Sequence, residues 1–147
     1  MTALPGPAGF LMRDSWRVDA VLADRFELRG GPDAPAQARA SLARLLAGRL
    51  GELDLFDVTV LLSEVVTNAV RHGNAGRDET VIVHVALAPG VLRVEVCDQG
   101  PGFERPNIIG SRPGGGGNGL VLLERMSSAW GVSGDDGTCV WFERELG

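Results

Sequence analysis

Residues 80–98 read TVIVHVALAPGVLRVEVCD, and the fold is decided here. Val81, Val83, Val85 and Leu87 alternate, so a strand over Thr80–Leu87 puts all four on one face. Val91–Asp98 repeats the pattern with Leu92, Val94 and Val96 on one face and Arg93 and Glu95 opposite. Ala88-Pro89-Gly90 between them is a hairpin turn. Upstream, Val58, Leu61, Leu62, Val65, Val66, Ala69 and Val70 recur at helical spacing and predict a helix from about Leu55 to His72, ended by Gly73. Before it, Asp33 is expected to cap a helix with Pro35 in its first turn. That helix carries the stripe Ala38, Leu42, Leu45, Leu46 and Leu50 and is expected to close at Gly51. Arg25–Arg29 alternates as a short strand, stopped by Gly30-Gly31-Pro32. Downstream, Leu120–Met126 resumes a helical pattern, and Trp130–Ser133 and Thr138–Glu143 read as a last hairpin. Strand pairs separated by helices favour an α+β sandwich with one helix-covered face over a parallel α/β sheet.

Composition narrows the function classes. A chain of 147 residues with 44% hydrophobic and 22% charged side chains suits one globular domain. All 14 basic residues are arginine, which excludes a Walker-A loop, whose lysine must reach the β- and γ-phosphates. A net charge of −5 argues against nonspecific binding to nucleic acid or to an anionic membrane. Cys97 and Cys139 sit inside apolar strand-like runs and fit no zinc spacing. With His72 and His84 as the only histidines, no cysteine/histidine metal cluster is expected. Residues 1–10 lack a basic start and a long apolar run, so no signal peptide is expected, and no run spans a membrane. A cytoplasmic location follows as the expectation.

Three polar features could carry chemistry. Glu64, Asn68 and Arg71 fall at i, i+4 and i+7 and stack along one side of the second helix. They are either a solvated face or a general base, a magnesium ligand and a phosphate contact. Magnesium takes hard oxygen ligands, few of them from the protein. Asp98-Gln99-Gly100-Pro101-Gly102 ends an apolar strand. It is either a simple turn or a carboxylate placed to accept from an exocyclic amine such as adenine N6, with Gly100 and Gly102 leaving room for the base. Gly114–Gly119 opens a helix and is either a flexible linker or an anion site of free backbone N–H groups. Gly114, Gly116 and Gly119 match G-x-G-x-x-G, but no strand precedes them, so the dinucleotide fingerprint is not met.

Taken in order, these features resemble the GHKL ATPase superfamily over roughly residues 25–145. Glu64-Val-Val-Thr-Asn68-Ala-Val-Arg-His72-Gly is similar to its N box. Asp98-Gln-Gly100-Pro-Gly102-Phe is similar to its first glycine box, and Gly117-Asn118-Gly119-Leu120 to its second. Gly137-Thr138-Cys-Val-Trp-Phe resembles the strand whose threonine supports adenine. The resemblance implies a Bergerat ATP-binding fold: a two-layer α/β sandwich whose mixed, mostly antiparallel sheet is covered by helices on one face. It also implies ATP and Mg²⁺ as cofactors. Glu64 would be the catalytic base and Asn68 the magnesium ligand. Asp98 would read adenine with Thr138, Gly100 and Gly102 would shape the base pocket, and Gly117, Asn118, Gly119 and Leu120 would cradle phosphates. Arg71 takes a basic position near the phosphates, while His72 is read as packing at the helix end.

Within the superfamily, the ending of the N box in Arg71-His72-Gly73 and the Ala129-Trp130-Gly131-Val132 segment resemble bacterial anti-sigma regulatory factors and their serine-protein kinase relatives. The implied function is an anti-sigma factor-like regulator that phosphorylates an antagonist in a partner-switching module. Its partners would be a sigma factor, a STAS-type anti-sigma antagonist or both, with a homodimer as the common assembly and no direct role for nucleic acid or membrane. The alternative is a non-catalytic nucleotide switch that sequesters a protein partner; the presence of Glu64 favours the enzyme. Residues 1–20 lie outside the resemblance as an N-terminal extension, and residues 21–147 form the ATPase-like domain.

Overall fold

The computed structural model describes residues 20–72, 79–98, 118–133 and 138–147. Among these residues the elements in chain order are β1 (Leu22–Arg29), α1 (Ala34–Leu46), α2 (Glu52–His72), β2 (Thr80–Ala88), β3 (Val91–Asp98), α3 (Asn118–Met126), β4 (Ala129–Ser133) and β5 (Thr138–Glu145). The strands form one sheet in the order β1-β2-β3-β5-β4. The sheet was expected to be mixed and mostly antiparallel, and every pairing among the described residues is antiparallel. The reason lies partly in the connections: β2 and β3 are joined by the two-residue turn Pro89-Gly90, with Gly90 at φ 81°, a connection only antiparallel neighbours can use.

The period-2 pattern of residues 80–98 sorts side chains as expected. Val81, Val83, Val85, Leu87, Leu92, Val94 and Val96 join Val140 and Phe142 in the core, against Ala38, Leu42 and Leu46 of α1 and Val58, Leu61, Leu62, Val65, Val66 and Ala69 of α2. Leu123 of α3 completes this layer. Deleting one of the fully buried leucines would cost about 2–5 kcal/mol, since the rigid surroundings only partly collapse into the gap. Arg39 of α1 donates to the Ser63 hydroxyl of α2 at 2.8 Å, a polar clasp at the edge of the helix–helix seam.

Several boundaries differ from the sequence expectation. Helix α1 ends at Leu46, not at Gly51. Gly48 takes the left-handed conformation there, with φ 76°, because only glycine does so without a Cβ penalty. Asp33 stands at the N-cap but its side chain makes no capping hydrogen bond. Pro35 already removes one of the N–H groups a cap would serve. Helix α2 begins three residues earlier than expected, at Glu52, where Glu52 and Asp54 oppose the positive end of the helix dipole.

Arg144 ties three elements together beyond the core. Its guanidinium donates to Asp57 of α2 at 2.7 Å and to the Met126 carbonyl at the end of α3 at 2.7 Å. Asp54 lies 3.5 Å from the same group. The last turn of α3 is thereby held to the start of α2 through β5.

Candidate functional site

The two strand residues proposed to hold a base come together. Asp98 ends β3 and Thr138 begins β5, and the antiparallel register sets them opposite one another. Asp98 is 4% exposed. A carboxylate this buried is costly unless a donor meets it, and it does have an interaction within the chain. Its place at the end of the sheet suits an acceptor for an amine.

On α2, Glu64 and Asn68 are half-buried and Arg71 is exposed. Three residues of this helix on the adjoining arc, Val65, Val66 and Ala69, are buried in the core, so the polar stripe borders the apolar one and is not on the outermost arc. Helix α2 packs on β3 and on α3, the elements that carry Asp98 and Asn118–Leu120 of the second glycine box. The donor set fits a hard cation: a carboxamide oxygen and a carboxylate one helical turn apart, both partly withdrawn from water. Asn118, Gly119 and Leu120 form the first turn of α3, where backbone N–H groups have no partner within the helix. Gly100, Gly102 and Gly117 lie outside the described residues, as do Gly73, residues 1–19 and the turn 134–137.

The sheet face turned away from the helices holds what the sequence reading missed. Cys97 and Cys139 are register partners, joined by a disulfide with Cα atoms 4.0 Å apart. Glu95 lies beside them, with a carboxylate oxygen within 4.8 Å of the sulfurs. The pattern for this was present: each cysteine adjoins one of the two residues assigned to adenine, so pairing Asp98 with Thr138 also pairs the cysteines. On the same face Arg93 donates to Glu143 at 2.8 Å, and its guanidinium sits 4.4 Å from the centroid of Trp141, a cation–π contact. His84 is 3% exposed. Burial lowers its pKa from 6.5 to about 4, with the Arg25 guanidinium adding to the effect, so the ring is neutral at pH 7.

Comparison with known proteins agrees with this architecture. The histidine kinase domain of the blue-light activated histidine kinase from Erythrobacter litoralis EL346 superposes with a TM-score of 0.52 at 21% identity, over 77% of this chain and 59% of that one. That likeness is one of fold. An anti-sigma F factor of Clostridium botulinum (strain Eklund 17B) is 34% identical over 71 residues, 47% of this chain and 50% of the relative. An anti-sigma F factor of Clostridium acetobutylicum is 38% identical over 65 residues, 44% of each chain. The chain spans about half the length of the curated relatives it matches. Among the described residues no helix is long and apolar enough to cross a membrane. The profile of the histidine kinase-like ATPase domain matches residues 29–144, so with the antiparallel sheet and its helix layer in place, the chain belongs to the histidine kinase-like ATPase domain family.

Proposed function

We propose that this chain is an ATP-binding, anti-sigma factor-like regulator of the cytoplasm that transfers the γ-phosphoryl group of ATP to a serine of a STAS-type antagonist. The observation that carries the reading is the buried Asp98 carboxylate across from Thr138 at the end of the sheet. Asp98 accepts a hydrogen bond from the adenine amine, and Thr138 supports the same ring edge. The free N–H groups at Asn118–Leu120, with Gly117 before them, meet the phosphates at a helix N-terminus. Arg71, exposed at the end of α2, adds positive charge for the phosphate tail. Gly100 and Gly102 leave space for the base.

Asn68 would hold Mg²⁺ through its carboxamide oxygen. When bound, the ion neutralises phosphate charge and fixes the phosphates in one geometry. Glu64, one turn before Asn68, accepts the proton of the incoming serine hydroxyl as its oxygen attacks phosphorus. The chain's contribution is placement and proton acceptance, the main levers in phosphoryl transfer. A sigma factor bound in the same nucleotide-loaded state would be released when an antagonist competes for it, and a homodimer would present two such surfaces.

The test is Glu64→Gln, assayed with Mg·ATP and candidate antagonists from the same genome. Nucleotide affinity should stay close to wild type, while phosphoryl transfer falls by about 10²–10⁴-fold. Asp98→Asn should instead weaken nucleotide binding by roughly 10- to 150-fold, the effect of losing a charge-assisted hydrogen bond. A wild-type chain that binds Mg·ATP but transfers phosphate to no antagonist would favour the non-catalytic switch. Equal ATP affinity in Asp98→Asn would remove the adenine assignment.

A further inference from the structure

We propose that Cys97 and Cys139 form a reversible redox site that sets nucleotide affinity, an inference that rests on the adenine pocket proposed above. The two cysteines occupy directly opposed positions on β3 and β5 and are joined as a disulfide. The next register pair along the same two strands is Asp98 and Thr138. No residue intervenes between the cross-link and the pair that would read the base. Cross-linked, the Cα atoms stand 4.0 Å apart. Opening the disulfide frees β3 and β5 to separate at this end, and the Asp98–Thr138 pair moves with them. The oxidised state therefore holds the base-reading groups in place before nucleotide arrives, which removes an ordering cost from binding.

In a reducing compartment a thiol pair of this kind is a sensor rather than a static staple, since structural disulfides belong to oxidising compartments. The co-reactant is a low-molecular-weight disulfide, RSSR. The thiolate of one cysteine attacks a sulfur of RSSR, a mixed disulfide forms, and RS⁻ leaves to be protonated as RSH. The second cysteine gives up its proton and attacks the protein sulfur of the mixed disulfide, and a second RSH departs. The protein dithiol loses two electrons and two protons, and RSSR gains both to become two RSH. Glu95 is fully buried, with a carboxylate oxygen within 4.8 Å of the sulfurs. Cys97 and Cys139 are 7% and 4% exposed.

The experiment uses the full chain in glutathione buffers of graded ratio, with free thiols counted by alkylation after unfolding and ADP affinity measured by calorimetry in Mg²⁺. The proposal expects both thiols to disappear together as glutathione disulfide rises. The oxidised form should bind ADP at least about fivefold more tightly than the reduced form, the low end of ordinary site–site coupling. By linkage, saturating ADP should shift the value of [GSH]²/[GSSG] at half-oxidation by the same factor. Cys97→Ser/Cys139→Ser should bind ADP with one affinity in all buffers. Two free thiols persisting in excess glutathione disulfide would overturn the redox site. Equal ADP affinities in the two forms, or tighter binding by the reduced form, would overturn its control of the pocket. Absence of ADP binding in either form would refute the nucleotide reading and the coupling with it, while the thiol count still decides the redox site.

Discussion

Lowering the pH below about 6.5 should destabilise this protein through one histidine. His84 lies on β2, in register with Arg25 of β1 and Glu95 of β3. Its folded-state pKa is about 4, lowered by burial and then by Arg25, against 6.5 for the free side chain. The unfolded chain therefore binds a proton near pH 6.5, while the native chain declines it until about pH 4. Stability is unaffected well above pH 6.5, falls as the pH drops through this window, and levels off below it. At 1.36 kcal/mol per pH unit, the whole window is worth roughly 3 kcal/mol, with roughly 2 kcal/mol gone by pH 5. The control is His84→Gln, which keeps a hydrogen-bonding side chain and does not titrate. Urea unfolding followed by tryptophan fluorescence at pH 7, 6 and 5 gives the free energies for both proteins. The wild type should lose about 2 kcal/mol more than His84→Gln between pH 7 and 5. Parallel losses in the two proteins would refute the assignment of a neutral, buried His84.

Other perturbations read other parts of the molecule. In Gly131→Ala the new Cβ would stand 2.8 Å from Cζ2 of Trp141, so the ring held by Arg93 must shift, at about 1–3 kcal/mol; a clear drop in the thermal midpoint checks this. Arg144→Met removes the bonds to Asp57 and to the Met126 carbonyl and should cost about 2 kcal/mol, with faster amide exchange in the last turn of α3. Asn68→Ala should abolish the magnesium dependence of nucleotide binding, as read by calorimetry with and without Mg²⁺. Its melting temperature without nucleotide should match wild type, because Asn68 is only half-buried and outside the apolar core.

Much of the sheet and helix layer was legible because period-2 and period-3.6 patterns report directly on which side of an element faces the core. Residues 80–98 are the clearest example: the alternation predicted the hairpin, and the register places its apolar face in the core. What the pattern could not give was the fate of the opposite face. Arg93 and Glu95 read only as polar residues opposite the apolar face, and they are 6% and 0% exposed. Hydropathy sees side chains one at a time, whereas Arg93 is accommodated by Glu143 and Trp141 from a strand about fifty positions away. The end of α1 was misplaced for a similar reason. Gly51 and Gly48 are equivalent by composition, and the choice between them depends on where the chain must turn to enter α2. The polar stripe of Glu64, Asn68 and Arg71 was legible as a row, while its depth beside the core became visible only with α2 set against β3 and α3.

The proposed site draws its two halves from different supports, and this division has consequences for how the domain could be controlled. Asp98 and Thr138 belong to the sheet, fixed by the β3–β5 ladder and the disulfide one pair further in. Glu64 and Asn68 belong to α2, fixed by Val65, Val66 and Ala69 in the core and, at the far end of the same helix, by Asp57 on Arg144. A nucleotide that used both halves would bridge sheet and helix layer, so its binding energy would reinforce the packing of α2 on β3. Strand β3 also carries both sides of the problem. Its even-numbered residues Val94 and Val96 enter the core, Glu95 and Cys97 face the opposite side, and Asp98 ends the strand. Signals from the outer face therefore reach the base-reading end along one strand, without passing through the helices that hold the proposed catalytic residues. On this reading affinity and catalysis are separately adjustable: a change at Cys97 acts on nucleotide occupancy, and a change at Glu64 acts on the chemical step.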